Sequence, residues 1–246
     1  MTDSIKNSVT SLLTTGLIVT ATFVSASSAR ASDTPPAQDQ DPYFQIQSIT
    51  VEEIPDTADD DYKASLIPAP ADSGGIIGGI GQVTGAINQI VNTGKAIWAI
   101  IEANKPVSNV STDIANAIPQ ASSTWDSLEG WSAPQTHLFH VNYKNGFGKD
   151  VIDFTYRVIY IYAGNVGGKG HFLNGVAIVP ADLTVAWGYT FNAQAKVPSV
   201  TNAGSVKDPI AAMEIQMQWS VSTTFKINQQ TQNYYVRGDG VFESLN

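Results

Sequence analysis

From Met213 to Ile227 every second residue is apolar or β-branched: Met213, Ile215, Met217, Trp219, Val221, Thr223, Phe225 and Ile227, interleaved with Glu214, Gln216, Gln218, Ser220, Ser222, Thr224 and Lys226. A period of two marks a strand with one buried and one wetted face. So long a run commits this half of the chain to antiparallel β-structure. Drawn straight, the segment 211–227 would reach ~58 Å at 3.4 Å per residue, so it has to bend, bulge or belong to an elongated molecule.

The same period recurs upstream. Phe139, Val141 and Tyr143 alternate with His140, Asn142 and Lys144, and Lys144 to Gly148 is a turn. Ile152, Phe154, Tyr156, Val158, Tyr160 and Tyr162 form a second run, followed by a turn at Gly164–Gly170 and a strand from His171 to Val179. Leu183 to Phe191 alternates again, and a last strand lies near Asn233 to Phe242. Six or so strands at hairpin spacing, with no helix between them, predict an antiparallel β-sandwich over residues 135–246. They fall short of the eight strands that a single-chain outer-membrane barrel needs.

Ahead of this half the period changes. Ile76, Ile80, Val83, Ile87, Ile90, Gly94, Ile97 and Ile101 follow one another in steps of three and four, which predicts an amphipathic helix ending before Lys105-Pro106. The pairs Gly74/Gly78, Gly75/Gly79 and Gly81/Gly85 allow close approach of a partner, and Lys95 is the only ionised side chain from 76 to 101. Continuous over that range, the helix would be ~39 Å long, enough to cross a bilayer. The alternatives are a Gly-rich loop followed by a shorter helix over 82–104, and a helix that packs on the sheet. The expected fold class is mainly β with an N-terminal helix, α+β.

Residues 1–31 read as a secretory signal, with Lys6, an apolar stretch from Leu12 to Val24, and Ala29-Arg30-Ala31 as the cleavage pattern. Export to a bacterial periplasm, outer membrane or extracellular space suits a chain with no cysteine. The net charge of -9 is concentrated in residues 33–72, which hold ten acids against Lys63 together with six prolines. Residues 32–72 are therefore expected to be an acidic, disordered linker, although Tyr43–Val51 could add a strand to a sheet edge. Residues 73–134 hold the glycine-rich helix and a loop. The remaining chain is nearly neutral, which excludes a basic nucleic-acid interface.

Chemistry-bearing motifs are sparse. His137 and His140, three apart on a strand, point to opposite faces and cannot share a metal ion. No G-x-S-x-G occurs, Gly164–Gly170 lacks a phosphate-loop pattern, and Asp59-Asp60-Asp61 lacks calcium-loop spacing. Asp150 and Asp153 are an ordinary acid pair, and Arg237-Gly238-Asp239 suits a bulged strand end. The sequence thus points to no cofactor, no metal and no enzymatic activity. Its lead reading is an exported, non-enzymatic envelope or surface protein. It would meet a lipid membrane or a second copy of itself through Ile80, Val83, Ile87, Ile90, Ile97, Trp98, Ile101, Gly81 and Gly85. A helix ahead of a β-sandwich is also the layout of some small pore-forming cytolysins, an analogy of architecture alone. The rival is a secreted adhesion module that binds a glycan or protein through loops and aromatics such as Tyr156, Tyr160, Tyr162, Trp187, Tyr189, Trp219, Tyr234 and Tyr235.

Overall fold

The alternating segments become strands in the computed structural model, which describes residues 41–58, 86–109, 112–122 and 127–245. In chain order the strands are β1 (Ile46–Ile54), β2 (Ile90–Asn92), β3 (Ile97–Glu102), β4 (Lys105–Pro106), β5 (Ala115–Pro119) and β6 (Gln135–Asn145). They continue with β7 (Asp150–Val166), β8 (Lys169–Val185), β9 (Thr190–Asn202), β10 (Ala211–Ser222), β11 (Ile227–Arg237) and β12 (Phe242–Ser244). Two six-stranded sheets result, ordered β1-β6-β7-β8-β5-β2 and β12-β11-β10-β9-β3-β4, with every pairing between neighbouring strands antiparallel.

One hydrophobic core draws on both sheets. Phe139, Val141, Phe154 and Tyr156 enter it from the first sheet, and Phe191, Met213, Met217 and Tyr234 from the second. Two pairs of aromatic polar tips inside this core bond to each other, because a buried hydroxyl or indole N–H without a partner is costly. The Tyr156 and Tyr234 hydroxyls lie 2.6 Å apart, and Trp219 Nε1 donates to the Tyr143 hydroxyl at 2.9 Å. Each bond ties one sheet to the other and fixes their mutual register.

Four sequence expectations need correction. No α-helix is present among the described residues, and 86–104 carry a turn, β2 and β3 instead. Over 86–101 the helical spacing is a coincidence in a segment rich in β-branched residues, interrupted by Asn92-Thr93-Gly94-Lys95, while residues 76–85 of the stripe lie outside the described residues. There the Asn92 side chain accepts from Gly94 N–H at 2.9 Å and donates to the Lys95 carbonyl at 3.0 Å, a local turn that competes with helix. A Cβ added to Gly94 would lie 2.2 Å from the Ile114 carbonyl oxygen, and the pairs Gly74/Gly78, Gly75/Gly79 and Gly81/Gly85 lie outside the described residues.

The long alternation of 213–227 is also broken. β10 stops at Ser222, and Thr223–Lys226 is a hairpin turn closed by Thr223 N–H to the Lys226 carbonyl at 2.8 Å. Likewise Leu183–Phe191 is not one strand, since β8 ends at Val185 and β9 starts at Thr190 after a turn.

Within the acidic stretch, the strand reading of Tyr43–Val51 describes the fold better than the linker reading. A 3-10 turn at Pro42–Phe44 leads into β1, which pairs with β6 from Ile46 opposite Asn145 to Ile54 opposite Leu138. Just past β1, Asp56 is clamped by Arg157 through two hydrogen bonds of 3.0 and 3.2 Å, with Thr136 and the Ala58 N–H adding two more. The pair is nearly dry, with side-chain exposures of 11% for Arg157 and 7% for Asp56.

Candidate functional site

The strand register gathers three turns at one end of the two-sheet body. Ile152 pairs with Val185 in the first sheet, and Ser222 pairs with both Thr190 and Ile227 in the second. The turns 146–149, 186–189 and 223–226 therefore emerge together, beside the 3-10 turn that precedes β1. Each presents an apolar side chain to solvent: Phe147 is 62% exposed, Trp187 83%, Phe225 41% and Ile227, at the start of β11, 71%. Exposed apolar groups scattered singly are ordinary, whereas four on one end of a fold call for a reason.

Local hydrogen bonding holds these tips outward. In the first turn the buried Asn145 side chain accepts from the N–H groups of Phe147 at 3.0 Å and Lys149 at 3.1 Å, and Gly146 N–H donates to the Pro42 carbonyl at 2.8 Å. In the second, Gly188 has φ +82°, a left-handed conformation that lets the chain reverse directly after Trp187. The Trp187 carbonyl accepts from the Tyr43 hydroxyl at 2.8 Å, and the Tyr189 hydroxyl donates to the Tyr43 carbonyl. Burial, with Tyr43 and Asp41 nearby, pushes the Tyr189 phenol up to about 12. In the third turn Thr223 Oγ1 accepts from Phe225 and Lys226 N–H.

Aromatic contacts join the turns into one surface. Phe44 lies 5.9 Å from Phe225 and 6.1 Å from Tyr189, ring centre to ring centre. A cavity of about 290 Å³ opens between Phe44, Ile46, Val221, Lys226, Ile227 and Asn228. Lys149 and Lys226 flank the exposed rings and enter no ion pair among the described residues, while Lys144 is engaged by Asp150 at 2.6 Å. The arrangement has apolar tips with cations beside them and no nucleophile poised against a base.

The described members of the expected binding stripe do not form one exposed face. Ile80, Gly81, Val83 and Gly85 lie outside the described residues. Ile87 and Ile90 are half-buried against the core, and Ile90 belongs to β2 of the first sheet. Trp98 and Ile101 are buried in β3 of the second sheet, whereas Ile97 is exposed. Lys95 pairs with Asp113. Of the aromatics singled out from the sequence, Tyr156, Tyr160, Tyr189, Trp219 and Tyr234 are buried and Trp187 alone projects at this end.

The remaining chemical candidates are accounted for by packing and pairing. His137 and His140 do face opposite ways: the His137 ring stacks on Phe242 at 3.6 Å and His140 bonds to Asp153 at 2.9 Å. Arg237 and Asp239 pair with each other across Gly238. Among the described residues no cluster of three or more His, Asp or Glu is placed to hold a metal ion, and no helix is long and apolar enough to cross a membrane.

Fold and site together define a two-sheet antiparallel β-protein with an aromatic loop end. Comparison with protein-family models, with curated proteins and with solved structures finds no match.

Proposed function

We propose that this chain is an exported, non-enzymatic surface protein with a β-sandwich body that binds lipid membranes peripherally through its loop end. The observation that carries the reading is the projection of Phe147, Trp187, Phe225 and Ile227 from one end of a rigid two-sheet scaffold. Aromatic rings favour the headgroup boundary, where an apolar body is covered and a polar edge stays wet. An indole that removes on the order of 200 Å² from water, at the exposure of Trp187, is worth about 4 kcal/mol before ordering costs. One such anchor binds weakly, and several on separate turns act together. Lys149 and Lys226 would add attraction to anionic headgroups of about 1 kcal/mol each. The sequence-derived signal over residues 1–31 supports delivery to such a surface.

The test is vesicle co-sedimentation. Wild-type protein should sediment with phosphatidylcholine vesicles, and more strongly when phosphatidylserine is included. The variant Phe147→Ser/Trp187→Ser/Phe225→Ser should remain in the supernatant, and Lys149→Glu/Lys226→Glu should lose the serine-lipid increment only. Wild-type protein that stays in solution at every composition, or a triple variant that binds equally well, refutes the reading.

A further inference from the structure

Part of the outer face of the second sheet is polar without being charged, bounded along the strands by Lys196 and Glu214. Cross-strand register sets two rows of three side chains side by side: Asn192, Ser220 and Gln229, then Gln194, Gln218 and Thr231. Together with Ala99 of β3 and the corner at Glu102–Ala103, they line a trough of about 700 Å³. Glu102 is the one ionisable side chain lining it among the described residues.

The amides along this face are pre-aligned. Gln194 Nε2 donates to Gln218 Oε1 at 3.0 Å, Gln218 Nε2 to Gln216 Oε1 at 3.4 Å, and Gln216 Nε2 to Glu214 Oε1 at 3.2 Å. Each amide retains donor and acceptor capacity beyond these bonds, and each hydroxyl can serve as either. A phosphate or carboxylate ligand would meet no cation in the trough, and the apolar part of the lining, from Ala99, Ile101, Ala103, Ala193 and Trp219, suits the C–H faces of a sugar ring. A ligand with neutral hydroxyls, each both donor and acceptor, and apolar ring faces matches this mixed lining.

We infer that this trough is a binding site for a neutral oligosaccharide. Neighbouring strands stand ~4.8 Å apart, so one row of three side chains spans about two sugar rings with a hydrogen-bonding group beneath each. The row Asn192, Ser220 and Gln229 lies two residues from the turn at 223–226, so the trough begins beside the loop end. A saccharide carried on a lipid headgroup and one free in solution offer the same chemistry to these amides. The inference does not depend on membrane binding.

An array of neutral oligosaccharides, read with the full-length protein, tests the site in solution. A second arm uses phosphatidylcholine vesicles with and without a neutral glycosphingolipid. We expect binding to at least one neutral saccharide on the array, weakened about ten-fold or more by Gln194→Ala/Gln218→Ala and likewise by the isosteric Gln218→Glu. The loop-end variant Phe147→Ser/Trp187→Ser/Phe225→Ser should keep full affinity on the array, which separates this site from the membrane reading. Saccharide binding confined to the glycolipid vesicles, yet sensitive to the Gln variants, would assign the headgroup as the source of the ligand and support the site. No saccharide binding in either arm, or binding that the Gln variants leave unchanged, overturns it.

Discussion

Replacing Asp56 by Asn removes one charge from a nearly dry ion pair, and the size of the loss follows from the carboxyl's surroundings. Burial alone would raise its pKa. Hydrogen bonds from Arg157, the Ala58 N–H and Thr136, with the charge of Arg157, outweigh that penalty and hold it at about 2 instead of 3.8. A depressed pKa in the folded state means that the stabilisation is complete above the unfolded value and is lost as pH falls toward 2. A shift of nearly two units at 1.36 kcal/mol each amounts to about 2 kcal/mol at neutral pH, with roughly half of it gone by about pH 3. Urea unfolding of wild type and Asp56→Asn at both pH values measures this. The variant should be less stable by about 2 kcal/mol at pH 7, with the gap clearly narrower at pH 3. Equal stability at neutral pH, or a gap that does not change with pH, would refute the reasoning. The same substitution should loosen the segment following β1, seen as faster proteolysis near residue 58.

Gly94→Ala discriminates between strand and helix for residues 86–104. In a helix it should stabilise by about 1 kcal/mol, whereas a Cβ set 2.2 Å from the Ile114 carbonyl should destabilise by about 1–3 kcal/mol, read as a lower unfolding midpoint. Tyr156→Phe leaves the Tyr234 hydroxyl buried without its partner and should cost about 1–3 kcal/mol, while Tyr156→Phe/Tyr234→Phe should cost less than the two single changes added together. Burial pushes the Tyr143 and Tyr160 phenols up to about 12, as it does Tyr189, and Tyr156 and Tyr234 further still. Absorbance titration of the native protein to about pH 11 should leave these five tyrosines largely protonated, and stability should fall as pH climbs from about 10 toward 12.

Strands with one buried face were legible wherever a strict alternation met a recognisable turn. β6, β7 and β10 follow the positions of Phe139, Ile152 and Met213 because their inward residues are large and their outward ones polar. β3 was misread because it carries a bulge: Ile100 and Ile101 are both buried, and the register against β9 shifts between Ala99 and Ile101. The bulge spoiled the period of two and left a spacing that imitates a helix. β2 and β5 are too short, at Ile90–Asn92 and Ala115–Pro119, to show any period at all. The loop end leaves a trace in the sequence that coincides with a strand pattern. Phe225 and Ile227 continued the alternation of β10 and were counted as strand, although Thr223-Thr224 before them and Lys226 between them suit a turn. Phe147 stood in plain view between Gly146 and Gly148, where an apolar ring has no core to enter. The trough could not be read at all, because its rows exist only once β9, β10 and β11 are in register.

The most direct test of a membrane-binding loop end is depth-resolved quenching of Trp187 by lipids brominated along the acyl chain. Trp98 and Trp219 are buried and Trp131 is partly buried, so Trp187, at 83% exposure, is the most exposed tryptophan among the described residues. On vesicles, emission should shift to the blue and be quenched most by bromines at shallow acyl positions, and Trp187→Phe should abolish the vesicle-dependent part of both signals. Emission that neither shifts nor is quenched when vesicles are added, or quenching that persists in Trp187→Phe, would contradict the account.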